Sequence, residues 1–313
     1  MRSTRAIMTG IGAAACLALA GPALAQADTR YASPGGADGA ACTEQAPCSI
    51  ATALIGASSG AEIVLLPGDY AIAFPFSLGG GVTLRGRDGA AATRIALSAS
   101  LPVSDARVAD VTINGTVGSG AVVELKNGGI VERAVLRAVT GSGGSSVVQI
   151  SPGGLVRDSV LTSSASSFGL YFVGASSATL RAEARNVSVV TTAAGSSALR
   201  MNLPNVGDPT QYTGRVRNSI FRGATKDLDV VGLGNQELQV GTSDFRAAFS
   251  SGGADVVDLG GNIQDAPQFF DQAGGDLHQL PGSPTIDKGV LDTFMGTTDL
   301  DGQPRTIAGG PDI

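Results

Sequence analysis

Six times between Val108 and Phe245 the chain writes the same short phrase: an apolar residue, two mostly polar positions, a small or apolar residue, one spacer and a large apolar residue. The copies read VADVTI, VERAVL, VRDSVL, ARNVSV, VRNSIF and VGTSDF. Their starts at Val108, Val131, Val156, Ala184, Val216 and Val240 lie 23, 25, 28, 32 and 24 residues apart. A repeat of that length marks stacked supersecondary units, none of which buries its apolar face alone. It constrains architecture strongly and chemistry very little.

The columns of the phrase identify the unit. Alternation of apolar and polar positions with a period of two is the signature of a strand. The step from column one to column four breaks that period, so both face inward only where the chain bends between them. Column three supplies Asp110, Asp158, Asn186 and Asn218, the non-glycine types that best tolerate the left-handed conformation of a tight bend. Each phrase reads as two short strands meeting at a corner. A further apolar strand precedes most copies, at Val122 to Leu125, Val147 to Ile150, Leu170 to Val173, Leu199 to Leu203 and Leu228 to Val231. Gly- and Ser-rich turns such as Gly141 to Ser146 and Ser163 to Ser167 separate them.

Three short strands per repeat with no helix between them predict an all-β parallel solenoid of three-stranded coils. Each residue then lies over its equivalent in the next coil, about 4.8 Å away. The longer blades of a propeller and the fixed Leu and Asn offsets of a leucine-rich repeat are not matched. Gly252-Gly253-Ala254-Asp255 is one incomplete copy of a calcium-binding glycine-rich nonapeptide and is discounted.

Residues 1–27 combine Arg2 and Arg5, an apolar stretch through Cys16 and Leu19, and an Ala23-Leu24-Ala25 ending, the pattern of a cleaved secretory signal peptide. Cys16 sits inside the apolar stretch, not at its end, and reads as an ordinary signal-peptide residue. No later segment approaches the roughly 18 uninterrupted apolar residues of a membrane span. Cys42 and Cys48 remain in an exported chain and are expected to form a small-loop disulfide, with a metal pair or free thiols as minor alternatives. The formal charge of −6 becomes −8 without the two signal arginines, which excludes nucleic acid as the expected partner. There is no Trp to serve as a sugar platform.

Both ends read as caps. Ser49 is placed to N-cap a short helix whose Ile50, Ala53, Leu54 and Ala57 share a face, and such a helix would cover the first open coil. Two strand-plus-turn units follow, Glu62 to Tyr70 and Gly81 to Gly86.

The opening Tyr31-Ala32-Ser33-Pro34-Gly35-Gly36-Ala37-Asp38-Gly39, the unit ending Leu66-Pro67-Gly68-Asp69-Tyr70, and Val82-Thr83-Leu84-Arg85-Gly86 resemble the start of bacterial right-handed parallel β-helix proteins of the pectate-lyase-like superfamily. Gly261-Asn262-Ile263, Ala266-Pro267-Gln268-Phe269, Gly275 to Leu280, Gly282 to Gly289 and Thr298 to Arg305 resemble the choice-of-anchor Q type region within that group. The resemblance implies a right-handed parallel β-helix with a short N-terminal helical cap and an irregular C-terminal cap. It also implies export to the cell surface or medium. The chain stops at Pro311-Asp312-Ile313, ahead of the Gly-Ala-aromatic-Glu finish usual in that group, so an anchor, where there is one, lies outside this sequence. The expected organisation is a signal peptide over 1–27, an N-terminal segment and cap over 28–60, the β-helix over 61–275 and a C-terminal cap and tail over 276–313.

Fold does not carry function with it. A lyase of this fold needs carboxylates that hold calcium and an Arg or Lys that takes the proton beside the sugar carboxylate. A hydrolase needs two or three carboxylates at a matched separation. Asp110, Asp158 and Asp244 fall in columns three and five, and Asp227 and Asp229 form the tightest acidic pair, with Lys126, Lys226 and several Arg as bases. That acidic pair reads as a solvated strand edge. His278, the one histidine, is expected at the surface or in a cap. Asp287, Asp299, Asp301 and Arg305 are expected to tie down the C-terminal cap, although Asp299, Asp301 and Gly302 make half a calcium loop. Column two carries Arg157, Arg185 and Arg217 in consecutive coils and is expected to face outward. The row is either a structural ladder neutralised by Glu183 or Asp158, or a binding row for an anionic glycan.

The resulting expectation is a non-catalytic exported β-helix, monomeric, free of a membrane span after signal cleavage, and contacting an extracellular or envelope polysaccharide. A polysaccharide lyase or glycoside hydrolase acting on acidic polysaccharide is the alternative. No cofactor or metal is expected, calcium entering only with the lyase, and no catalytic residue is assigned.

Overall fold

The computed structural model describes residues 28–116, 118–140, 143–165, 168–174, 181–203, 212–232, 236–306 and 310–313. The expected signal peptide lies outside them, as do residues 141–142 and 166–167 of the expected turns. Alternating strands pair in parallel, each with its equivalent one coil away, and form three faces. The first face runs Thr29–Ala37, Glu62–Leu65, Thr83–Gly86, Arg107–Ala109, Ile130–Glu132, Leu155–Ser163, Ala182–Thr191, Tyr212–Arg217, Gln236–Gly241 and Asp255–Asp258. The second runs Gly68–Ile72, Thr93–Leu97, Thr112–Thr116 and Val135–Thr140, continues through the later halves of Leu155–Ser163 and Ala182–Thr191, and reaches Ile220–Arg222. The third runs Leu101–Ser104, Ala121–Lys126, Ser146–Ile150, Phe168–Val173, Ser197–Leu203, Lys226–Gly232 and Ala248–Ser251. The solenoid thus begins at Thr29, with its first strand inside the segment assigned to the N-terminal cap.

Each expected third-face strand is present and extends slightly beyond its apolar run. Column one is buried throughout, with Val108, Val131, Val156, Ala184, Val216 and Val240 at 0% exposure. Column six (Ile113, Leu136, Leu161, Val189 and Phe221) is equally buried, while Phe245 packs at the edge of the core. Between them column three is left-handed in all six copies: φ is 59° at Asp110, 44° at Arg133, 50° at Asp158, 50° at Asn186, 48° at Asn218 and 47° at Thr242. Arg133 lacks the local side-chain chemistry that eases this conformation, but a two-pronged ion pair to Asp110 (2.7 and 2.9 Å) holds it there.

At the N-terminal end Ser49 caps the helix Ile50–Ile55 through Thr52 N–H (3.2 Å). Ile50 and Ala53 are buried against the first coil, with Leu54 and Ala57 partly buried beside them. Cys42 and Cys48 are joined in a disulfide. At the other end a hairpin pairs Phe269–Asp271 with Asp276–Gln279, and the chain then returns along the corner between the first two faces. No helix among the described residues is long and apolar enough to cross a membrane.

Candidate functional site

The return segment covers the arginine row. Column two does point away from the core, and Arg157, Arg185 and Arg217 lie in register on adjacent coils. Residues 290–296 lie across the row, and Arg185 has no exposed surface. Asp292 approaches Arg185 Nε at 3.3 Å and Arg217 Nε at 3.9 Å. Arg157 Nη1 donates to the Phe294 carbonyl (3.1 Å), and the Phe294 ring lies 5.6 Å from the Arg185 guanidinium. Glu183 pairs with Arg185. Glu132, fully buried, accepts from Arg157 Nε (2.8 Å) and contacts Arg107 and Arg133. Burial alone pushes the Glu132 carboxyl up, and the Arg107 and Arg157 guanidiniums more than reverse it, holding it below the usual range.

The bend residues supply the anchors. Asn218 clips Val290, donating from Nδ2 to its carbonyl (2.7 Å) and accepting from its N–H (3.0 Å). Asn186 Nδ2 donates to the Asp312 carbonyl (3.3 Å), and Asp158 accepts from Gly296 N–H (3.0 Å). Arg305 reaches Asp158 on the solenoid, while Asp299 accepts turn N–H groups from Asp301 (3.0 Å) and Gln303 (2.7 Å). Asp287 N–H donates to Asp312 (2.8 Å). The same column-three positions that need a left-handed backbone therefore also dock the cap.

Between this cap and the second face lies a groove of about 570 Å³. Arg94 and Arg137 enter it from adjacent outward columns of the solenoid. Arg94 makes a loose pair with Asp69 (3.7 Å), and the buried Arg137 Nε has no hydrogen-bond partner. His278 enters from the hairpin, with Nδ1 against Asp276 and Nε2 2.8 Å from Asp301. Burial lowers the imidazole pKa, but the Asp276 and Asp301 carboxylates outweigh it and hold the pKa above its usual value. Hydrogen bonds from His278 hold Asp276 below the usual carboxylate range. Carboxylates and arginines do meet in one groove, but each carboxylate side chain already has a partner: Asp158 has Arg305 and Gly296, Asp276 and Asp301 have His278, Asp299 has the Asp301 and Gln303 N–H groups, and Asp312 has the Asp287 N–H. Among the described residues no three His, Cys, Asp or Glu side chains are grouped to hold a metal ion.

The remaining acids depart from expectation. Asp227 and Asp229 are each only 2% exposed, not solvated. Asp227 accepts from the Arg246 N–H (2.6 Å) and its guanidinium, and Asp229 from Arg200 (2.6 Å) and Lys226 (2.7 Å). Ion pairing permits burial that an isolated carboxylate resists. Asp244, also buried, pairs with Arg222 (2.6 Å), and burial pushes its carboxyl up.

The chain is similar to a solved structure described as the crystal structure of pectate lyase Pel9A, with a TM-score of 0.52 and 13% identity over 91% of this chain and 98% of that one. At that identity the likeness shows the fold, a right-handed parallel β-helix. No family model matches the chain, and no curated protein matches it.

Proposed function

We propose that the protein is an exported, non-catalytic parallel β-helix of the cell surface or extracellular matrix that contacts acidic polysaccharide through the groove between the second face and the C-terminal cap. The observation that carries this reading is the pair Arg94 and Arg137 facing the groove, with the Arg137 Nε unpartnered. A guanidinium fork suits a uronate carboxylate, and a groove along the stacked coils accommodates an extended chain. The resemblance of stretches within residues 261–305 to the choice-of-anchor Q region and the signal-like sequence of residues 1–27 support a surface location.

A second reading, a polysaccharide lyase, rests on that same Arg137, an arginine in the groove available to take the proton beside a uronate carboxylate. Calorimetry with polygalacturonate tests the first reading. The Arg94→Ala, Arg137→Ala double variant is expected to bind roughly tenfold more weakly, and wild-type binding to weaken with salt. Equal binding by the double variant overturns the groove assignment. New unsaturated chain ends in the incubated polymer establish the lyase instead.

A further inference from the structure

On the cationic side of the first face, arginines outnumber the acids that pair with them. Arg181, Arg185, Arg215 and Arg217 act on one another there, and the acids beside them are Glu183 and Asp292. Arg185 is fully buried, yet its Nε and Nη2, like the Arg217 Nε, lack a hydrogen bond of good geometry. Buried donors left in that state are costly. Burial, together with Arg181, Arg185 and Arg217, holds the Arg215 guanidinium below its ordinary value.

The segment that brings Asp292 is held mostly by polar contacts. Its apolar residues stay largely exposed, with Leu291 at 72%, Val290 at 40% and Phe294 at 45% even though the Phe294 ring lies over the Arg185 guanidinium. Few apolar groups are buried when it docks, so its opening uncovers little apolar surface.

We infer that Arg185 and Arg217 form a second, covered site for a polymer carboxylate, in which Asp292 is the resident ligand that an acidic polysaccharide displaces. The site is distinct from the groove, since Asp292, Arg185 and Arg217 do not line it. The incoming uronate replaces one carboxylate by another, and the C-terminal segment moves off the corner between the faces.

The test uses the full chain, polygalacturonate and limited proteolysis. Wild-type protein is expected to become cleavable within residues 286–296 as the polymer is added. Asp292→Asn is expected to bind about tenfold more tightly, and Arg217→Ala in that background to remove the gain. Phe294→Ala, which alters a half-exposed side chain, loosens the segment without touching the core and should shift binding in the same direction. Heparin in place of polygalacturonate distinguishes a sulfate from a carboxylate preference, and tighter binding of heparin contradicts the assigned ligand. A segment that stays protected at saturating polymer, or unchanged affinity in both Asp292→Asn and Phe294→Ala, overturns the inference. A gain abolished by Arg94→Ala, Arg137→Ala and unaffected by Arg217→Ala also overturns it, while leaving the groove reading intact.

Discussion

Asn218 has two separable functions. Its backbone sits at φ 48°, and its side chain clips Val290. Asn218→Gly and Asn218→Ala both lose the clip, but only Ala pays for the left-handed conformation. Chemical denaturation is expected to place Ala about 1 kcal/mol below Gly; equal stabilities would deny the bend its role. The bend was legible in the sequence because left-handed tolerance is a property of the residue itself. The clip was not, because its partner lies 72 residues away, and those of Asn186 and Asp158 lie 126 and 138 residues away. The burial of Asp227 and Asp229 was hidden for the same reason, their partners Arg246 and Arg200 coming from other coils. His278 is the other telling residue. Its raised pKa means that its contribution to stability is present in full below the unfolded value of 6.5 and is lost as pH rises through the folded value. Asp276, depressed from 3.8, contributes above that value and loses its contribution as pH falls through the folded one. Urea midpoints measured from about pH 5 to about pH 8 should therefore decline for wild type as His278 deprotonates, and the decline should be shallower in His278→Ala. Parallel profiles would show that the imidazole does not tether the hairpin.

At the scale of elements, the strands and the N-terminal helix were readable because their periods, two and 3.6, are written locally. The course of the C-terminal segment across column two carried no such signal. Without it, outward-pointing arginines imply an exposed row, whereas the folded chain lays residues 290–296 over them. The groove was missed for the same reason, since it exists only where the hairpin Asp276–Gln279 faces strands far earlier in the chain. The disulfide belongs to the N-terminal element and closes a short loop, with a sequence separation of 6. Chain entropy then predicts a loss of about 2 kcal/mol on reduction, felt first at the helix Ile50–Ile55 and the strand Thr29–Ala37. Amide exchange after reduction should rise there and stay unchanged in Leu155–Ser163. A uniform rise would mean that the cap and the central coils unfold together.

For the whole molecule, the proposed function requires that an acidic polysaccharide lie in the groove between the second face and the C-terminal cap. The solenoid positions Arg94 and Arg137 on that face, and the cap supplies His278 and the opposite wall. Amide hydrogen exchange with and without polygalacturonate tests the claim most directly. Added protection is expected in Thr93–Leu97, Val135–Thr140 and Asp276–Gln279, diminished in the Arg94→Ala, Arg137→Ala variant. Protection confined to the third face, around Phe168–Val173 and Ser197–Leu203, or no protection at saturating polymer, would contradict it.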